Sequence, residues 1–264
     1  LGVHRDAFLR DHVLSGPGSD SDPELLGLAC VPLMVSLEIM AEACAALAGH
    51  ARVSVIEDVR AFDWIALDDE ELVLEVAAQA DDAAAHTYRA TLRQRGAIAV
   101  SARICFAPPA AGLPAIGTLG PARPARWDGQ AIYEVGMFHG PIFQSLRHVE
   151  GWNELGIDAE LTPCSTEGFF GPGVGAAMVL NPILLDAMGQ LAACWVAEHV
   201  GTDFNCFPST IERIDLFEPD PAQRDGIRLQ GRQHALDAAA AGDMTAARSW
   251  DFDAKLADGR PLVR

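Results

Sequence analysis

Leu180-Asn181-Pro182-Ile183-Leu184-Leu185-Asp186-Ala187-Met188-Gly189-Gln190-Leu191-Ala192-Ala193-Cys194-Trp195-Val196 reads as a helix buried on nearly all sides. Ile183, Leu184, Ala187, Met188, Leu191 and Trp195 recur at the spacing of one helical face, and the opposite face is almost as apolar. The pattern predicts a helix over 181–199. Pro182 suits its first turn, where a missing N–H costs nothing, and Asn181 can cap it. Asp186 is the one carboxylate in this apolar segment, and Gln190 lies one turn on along the same face. A carboxylate in such surroundings is costly unless it is capped, paired or used. Taken alone, Asp186 reads as well as a solvated or capped residue as it does as a functional one.

Working outward, a second apolar helix is predicted at 32–49. Pro32 stands near its start, Gly49 stops it, and Leu33, Leu37, Met40, Cys44 and Leu47 form its buried stripe. A lone histidine, His12, sits before it, followed by a polar loop, Pro17-Gly18-Ser19-Asp20-Ser21-Asp22-Pro23. Runs bounded by turn residues predict strands at 53–59, 62–67, 71–80, 86–94 and 98–106, an antiparallel meander able to wrap the first helix. Residues 107–126 are rich in Pro, Ala and Gly and read as a linker of limited flexibility. The plan then repeats. A short segment at 131–135 is followed by strands at 146–152 and 158–162, a loop at 168–175, the 181–199 helix, and strands at 209–217, 227–234 and 246–254. The division is an N-terminal unit at 1–110, a linker at 111–127 and a C-terminal unit at 128–264, each a helix with a sheet around it, in an α+β fold.

The chain has 264 residues, half of them hydrophobic, which suffices for a substantial core. It begins at Leu1, as expected of a segment from a longer polypeptide. No apolar run is long enough to span a bilayer, and no signal-peptide pattern opens the chain. The net charge of −18 argues against nucleic acid and anionic membranes as partners. Six cysteines lie without paired spacing, as expected of buried thiols in a reducing compartment such as the cytoplasm. No metal-ligand spacing, phosphate loop or nucleophile elbow is seen.

If the two units pack side by side, their helices can bring His12 and Asp186 to one cleft. A histidine and a carboxylic acid facing each other across an apolar tunnel form a general base and a general acid. The apolar walls are expected to raise the Asp186 pKa and keep His12 neutral. For His12 alone, a surface or satisfied histidine is the simpler reading. The other histidines read as structural or exposed, with His139 the exception.

His12-Val13-Leu14-Ser15-Gly16 resembles the first half of the HxxxGxxxxP motif of polyketide synthase dehydratase domains, and Val31-Pro32-Leu33-Met34-Val35-Ser36-Leu37-Glu38 resembles the proline and helix start that complete it. His139-Gly140-Pro141-Ile142-Phe143-Gln144 resembles YGPxFQ, and Leu185-Asp186-Ala187-Met188-Gly189-Gln190 resembles LDxxxQ. All stand in the family's order and span essentially the whole chain. The resemblance implies a double hot-dog fold, two antiparallel sheets each wrapping a central helix. It implies loss of water from a 3-hydroxyacyl thioester on acyl carrier protein, giving a 2-enoyl thioester. By motif position, His12 takes the α-proton and Asp186 protonates the leaving hydroxyl. Gln190 orients Asp186, and the Gly16 N–H polarises the thioester carbonyl. No cofactor is implied beyond the phosphopantetheine arm that carries the substrate. The implied partners are acyl carrier protein and neighbouring synthase domains, with a homodimer expected.

Two departures stand out. Gly16 and Pro32 are separated by an insert, Pro17 to Val31, which would cover the site or alter chain-length selection. His139 replaces the usual tyrosine, and FHGPxFQ is reminiscent of iterative synthases such as those for polyunsaturated fatty acids; its expected role is to brace the first motif. Two other readings remain: a double-bond isomerase or cyclase using the same pair, and a non-catalytic acyl-binding domain, against which the retained His12 and Asp186 speak. Carrier proteins of this kind are acidic, as this chain is, so steering would repel and tethering would supply the effective concentration.

Overall fold

The computed structural model describes residues 1–15, 27–49, 52–67, 71–82, 86–107, 116–173, 178–199, 204, 206–218, 224–234 and 247–264. Gly16 and most of the insert, 17–26, lie outside the described residues, as do 111–115 of the linker.

The elements run α1 (Ala7–Arg10), β1 (Val13–Ser15), β2 (Gly27–Cys30), α2 (Leu33–Ala48), β3 (Val55–Ala61), β4 (Ala66–Leu67), β5 (Leu74–Asp82), β6 (Thr87–Gln94) and β7 (Ala97–Cys105). Then follow α3 (Gln130–Val135), β8 (Leu146–Asn153), β9 (Gly156–Leu161), α4 (Pro182–His199), β10 (Thr210–Asp215), β11 (Ile227–Gln233), β12 (Trp250–Lys255) and β13 (Pro261–Val263). Two five-stranded antiparallel sheets dominate, with strand orders β10-β3-β7-β6-β5 and β13-β12-β11-β9-β8. The first packs on α2, the second on α4, and the two helices touch each other. This is the α+β double hot-dog architecture.

The helices are buried because both sides of each are covered. On α2, Leu37, Met40, Ala41 and Cys44 are inaccessible and join Ala90, Leu92, Ala102 and Ile104 of the first sheet in the core. On α4, Ile183, Ala187, Leu191 and Trp195 join Ile157, Ala159, Leu229 and Ala254. Each fully buried large side chain contributes about 1.5–3 kcal/mol. The Trp195 indole N–H is satisfied by the Asn153 carbonyl at 2.7 Å. Asn181 caps α4, its side-chain oxygen accepting the Leu184 N–H at 2.9 Å. Gly49 ends α2 in the left-handed region, φ +68°.

Four expectations need correction. The strand at 209–217, assigned to the second unit, is β10 and adds to the first sheet beside β3. The segment 62–67 is not a strand of that sheet; only Ala66–Leu67 is extended, and it pairs with β2 in a small three-stranded sheet, β1-β2-β4. The first sheet is no simple meander, since β3 pairs with β7 rather than with its neighbour in sequence. Leu47, placed in the buried stripe of α2, is 55% exposed because it falls in the last turn, beyond the sheet.

The residues on either side of 16–26 pair with one another. Val13 pairs with Ala29, Leu14 with Leu28 and Ser15 with Gly27, an antiparallel ribbon whose first arm follows His12. Pro32 is the N-cap of α2, and its carbonyl accepts the Ser36 hydroxyl. The described end of the linker packs on the second unit: Leu119 is buried, Arg123 exchanges backbone hydrogen bonds with Trp152, and Arg126 pairs with Glu198.

Candidate active site

His12 sits between two backbone segments. Its carbonyl accepts the Cys30 N–H at 3.0 Å, and on the other side it forms a bridge with His139. Asp11 fastens that bridge: its carbonyl accepts the Gly140 N–H at 2.8 Å, and its carboxylate accepts the Ile142 N–H at 2.7 Å. The first and second motif segments are thus stitched together by backbone. The His12 Nδ1 lies 2.9 Å from the Cys30 carbonyl, which can only accept, so Nδ1 carries the proton and Nε2 keeps its lone pair.

Asp186, near the start of α4, meets both segments. His139 Nε2 is 3.1 Å from Asp186 Oδ2, and the Gln190 amide donates to the same Oδ2 at 2.8 Å. Oδ1 has no protein donor among the described residues. Gln190 is held in turn: its amide also donates to the Phe143 carbonyl at 2.9 Å, and its Oε1 accepts the Tyr133 hydroxyl at 2.9 Å. The Tyr133 oxygen accepts the Leu146 N–H at 3.0 Å. Sequence reasoning missed Tyr133; the available signal was that the chain has only two tyrosines and one stands just before the second motif.

These groups line one cavity of about 240 Å³, walled by Val31, Met34, Val100 and Met137 and opening between Phe62, Trp64 and Phe207. Those three rim residues are exposed, and Trp64 meets Phe207 edge to face at 4.8 Å. His12, His139 and Gln190 are buried, and 13% of the Asp186 side chain remains accessible.

Burial pushes the His12 pKa down to about 4, against the pull of Asp186 and with His139 adding to the drop. His12 is therefore neutral, as expected. Asp186 differs from expectation. Burial alone would raise its pKa, but His139, His12 and the Gln190 hydrogen bond outweigh burial and hold it below the usual carboxylate range. The apolar walls were visible in the sequence; the imidazole on Oδ2 was not. Tyr133 is pushed far up by burial and stays a phenol donor.

The structure thus brings His12, His139, Asp186 and Gln190 together, and Pro32 starts the helix beside them. Gly16 lies outside the described residues. His12, His139 and Asp186 each offer a ligand atom, all within 4.8 Å of one another, a set that positions so distant in sequence conceal.

Two antiparallel sheets, each packed on a central helix, define the hot-dog class of protein. The model of the polyketide synthase dehydratase N-terminal domain matches residues 118–264, more than half of the chain, and the chain belongs to that family. It is a polyketide synthase dehydratase domain, a hydro-lyase of 3-hydroxyacyl thioesters, working within a synthase alongside acyl carrier protein and neighbouring domains. Among solved structures, the dehydratase domain of a mycocerosic acid synthase-like polyketide synthase is similar at 18% identity and a TM-score of 0.68, covering 100% of this chain and 86% of that one. The dehydratase domain from the CurF module of curacin polyketide synthase is similar at 15% identity and a TM-score of 0.69, covering 100% and 87%. That of PpsC from Mycobacterium tuberculosis, in complex with C12:1-CoA, gives 17% identity, a TM-score of 0.64 and coverage of 97% and 96%. These likenesses are of fold. No curated protein sequence matches the chain.

Proposed function

We propose that His12 and Asp186 carry out the elimination, His12 as base and Asp186 as acid. The observation that carries this reading is the pair's placement in one apolar cavity, with a free imidazole lone pair and a free carboxyl oxygen. The His12 Nε2 lone pair takes the α-proton, the C–H electrons form the Cα=Cβ bond, and the Cβ–O bond breaks as Asp186 Oδ1 delivers a proton to the departing hydroxyl. Asp186 rests as a carboxylate, so it takes that proton from solvent as the acyl chain enters and strips the group of water; afterwards His12 returns the α-proton to solvent, which restores both groups. Gln190, held by Tyr133, and His139 both donate to Oδ2. They orient the acid and stabilise the carboxylate that remains after transfer.

The substrate enters on the phosphopantetheine arm of acyl carrier protein with no further cofactor. The apolar walls suit an acyl chain, and a related structure holds C12:1-CoA. The Gly16 N–H takes the carbonyl-polarising role by motif position. The domain works as a homodimer in the cytoplasm. No helix among the described residues is long and apolar enough to cross a membrane. Binding to free carrier protein is weak, since both partners are acidic.

The test is mass spectrometry of a 3-hydroxyacyl pantetheine thioester with wild type, His12→Ala and Asp186→Asn. Loss of one water with wild type alone supports the assignment. Conversion of an enoyl thioester but not of the hydroxyacyl one would replace dehydration with double-bond shifting or cyclisation. No conversion of any thioester by folded protein would leave an acyl-binding domain.

A further inference from the structure

We propose that His12, His139 and Asp186 form a binding site for a divalent transition-metal ion of the zinc class, and that an ion bound there excludes the acyl substrate. The inference rests in part on the catalytic reading above, since it is the acid–base pair that the ion would occupy.

The geometry is that of two histidines and a carboxylate on one side of an open cavity. Their ligand atoms lie within 4.8 Å of one another, and the His139–Asp186 edge is already 3.1 Å. Zinc sits about 2.0–2.2 Å from nitrogen and oxygen donors in a tetrahedral arrangement, so ligand atoms around it lie about 3.4 Å apart. An edge near the 4.8 Å limit therefore needs a contraction of about 1.4 Å. Asp186 can supply part of it by turning its carboxylate, because Oδ1 has no protein donor among the described residues.

The donor set is also chemically apt. Imidazole and carboxylate suit zinc, and this combination leaves positions open for water. The His12 Nδ1–H is held by the Cys30 carbonyl at 2.9 Å, the outer hydrogen bond that fixes a metal-binding histidine with Nε2 free. The Gln190 amide on Asp186 does the same for the carboxylate. The cavity, about 240 Å³, has room for the ion and its waters. The third ligand comes from the position where the family motif has tyrosine, so the site belongs to chains with this substitution.

The affinity is limited by one feature. His139 Nδ1 is buried without a partner. Binding metal through Nε2 puts the proton on Nδ1, where it finds no acceptor among the described residues. An unmet buried donor weakens binding by about one to two orders of magnitude. The site is therefore expected to take zinc in the micromolar range, reversibly, as an inhibitory ion. The ion displaces the hydrogen between His139 and Asp186 and takes up the His12 lone pair, so metal and α-proton compete for the same nitrogen.

The test uses the domain freed of metal by chelation. Titration with zinc chloride by calorimetry is expected to give one ion per chain with micromolar affinity, competed by a 3-hydroxyacyl pantetheine thioester. Cobalt(II) is expected to give a visible spectrum of nitrogen and oxygen ligation, without a thiolate charge-transfer band. His139→Phe, with His139→Asn as a second variant and circular dichroism to confirm folding, is expected to weaken zinc at least tenfold. Absence of one-to-one binding up to millimolar zinc would overturn the proposal. So would a thiolate band, which would point to the cavity's Cys206, or equal affinity in a folded His139 variant. These readouts need no turnover. Failure of the metal-free enzyme to dehydrate would instead strike the catalytic reading and leave the metal result standing.

Discussion

Replacing Tyr133 by phenylalanine removes one oxygen and breaks two part-buried hydrogen bonds. The Leu146 N–H loses its 3.0 Å acceptor, and Gln190 Oε1 loses its 2.9 Å donor. Leu146 and Gln190 are both buried, so water cannot easily replace the phenol. A buried polar group left unpaired costs about 1–3 kcal/mol. Two of them give about 2–6 kcal/mol, with the lower end favoured if Gln190 turns to relieve its own loss. For a domain of this size that lower end, about 2 kcal/mol, lowers the melting temperature by about 4–8 °C. The same turn of Gln190 frees Asp186 Oδ2 from its 2.8 Å donor, so the acid loses its fixed orientation. The rate of water loss at saturating thioester is expected to fall about tenfold, with KM changed less than threefold, because Tyr133 does not touch the acyl chain. Thermal melting and a steady-state dehydration assay on the same preparations measure both effects. A variant that melts with wild type and dehydrates at the wild-type rate would refute the chain Leu146–Tyr133–Gln190–Asp186.

Other expectations follow from single contacts. Glu38, buried on α2, accepts the Val179 and Leu180 N–H groups at 2.7 and 2.6 Å and ties α2 to the segment before α4. Burial outweighs those bonds, and with Glu42 nearby the Glu38 pKa is pushed up to about 7 from 4.5. The unfolded chain then loses this proton first, so Glu38 is expected to cost stability as pH rises from about 4.5 to 7, on the order of 3 kcal/mol in all. Urea melts against pH should show that fall in wild type and a flatter profile in Glu38→Gln; parallel profiles would contradict it. A Cβ on Gly27 would lie 2.0 Å from the Leu14 carbonyl oxygen, so Gly27→Ala is expected to displace the ribbon next to His12 and abolish dehydration, read by the same assay beside a dichroism spectrum. Trp64→Ala and Phe207→Ala open the cavity rim and are expected to raise KM about three- to tenfold for long acyl thioesters while sparing short ones, measured across a chain-length series.

What the sequence disclosed and what it hid have different physical origins. The pattern at 181–199 marked α4 (Pro182–His199) because a helix buried all round must be apolar all round, and Pro182 and Asn181 mark its start locally. The motif residues could be picked out, since each carries its chemistry in its type and order. Which sheet a strand joins is not a local property. The strand at 209–217 was legible, but nothing in those residues says that β10 pairs with Val55–Ala61 rather than with the strands around α4. The ionisation of Asp186 was equally hidden. It depends on an imidazole 47 positions earlier placed 3.1 Å away, which reverses the effect of the apolar walls. The long separation of Gly16 from Pro32 read as an interruption of a motif; the residues flanking 16–26 pair as a ribbon, which leaves His12 at the cavity and Pro32 at the head of α2.

The most direct test follows deuterium rather than activity alone. A 3-hydroxyacyl pantetheine thioester carrying two deuterium atoms on its α-carbon is incubated with wild type, His12→Ala and Asp186→Asn, and the products are weighed by mass spectrometry. The account expects wild type to leave an enoyl thioester with one deuterium, the other passing to His12 and from there to solvent, and both variants to lose at least about a thousandfold in rate. An enoyl product that keeps both deuterium atoms, or a His12→Ala variant that converts the substrate at the wild-type rate, would contradict it.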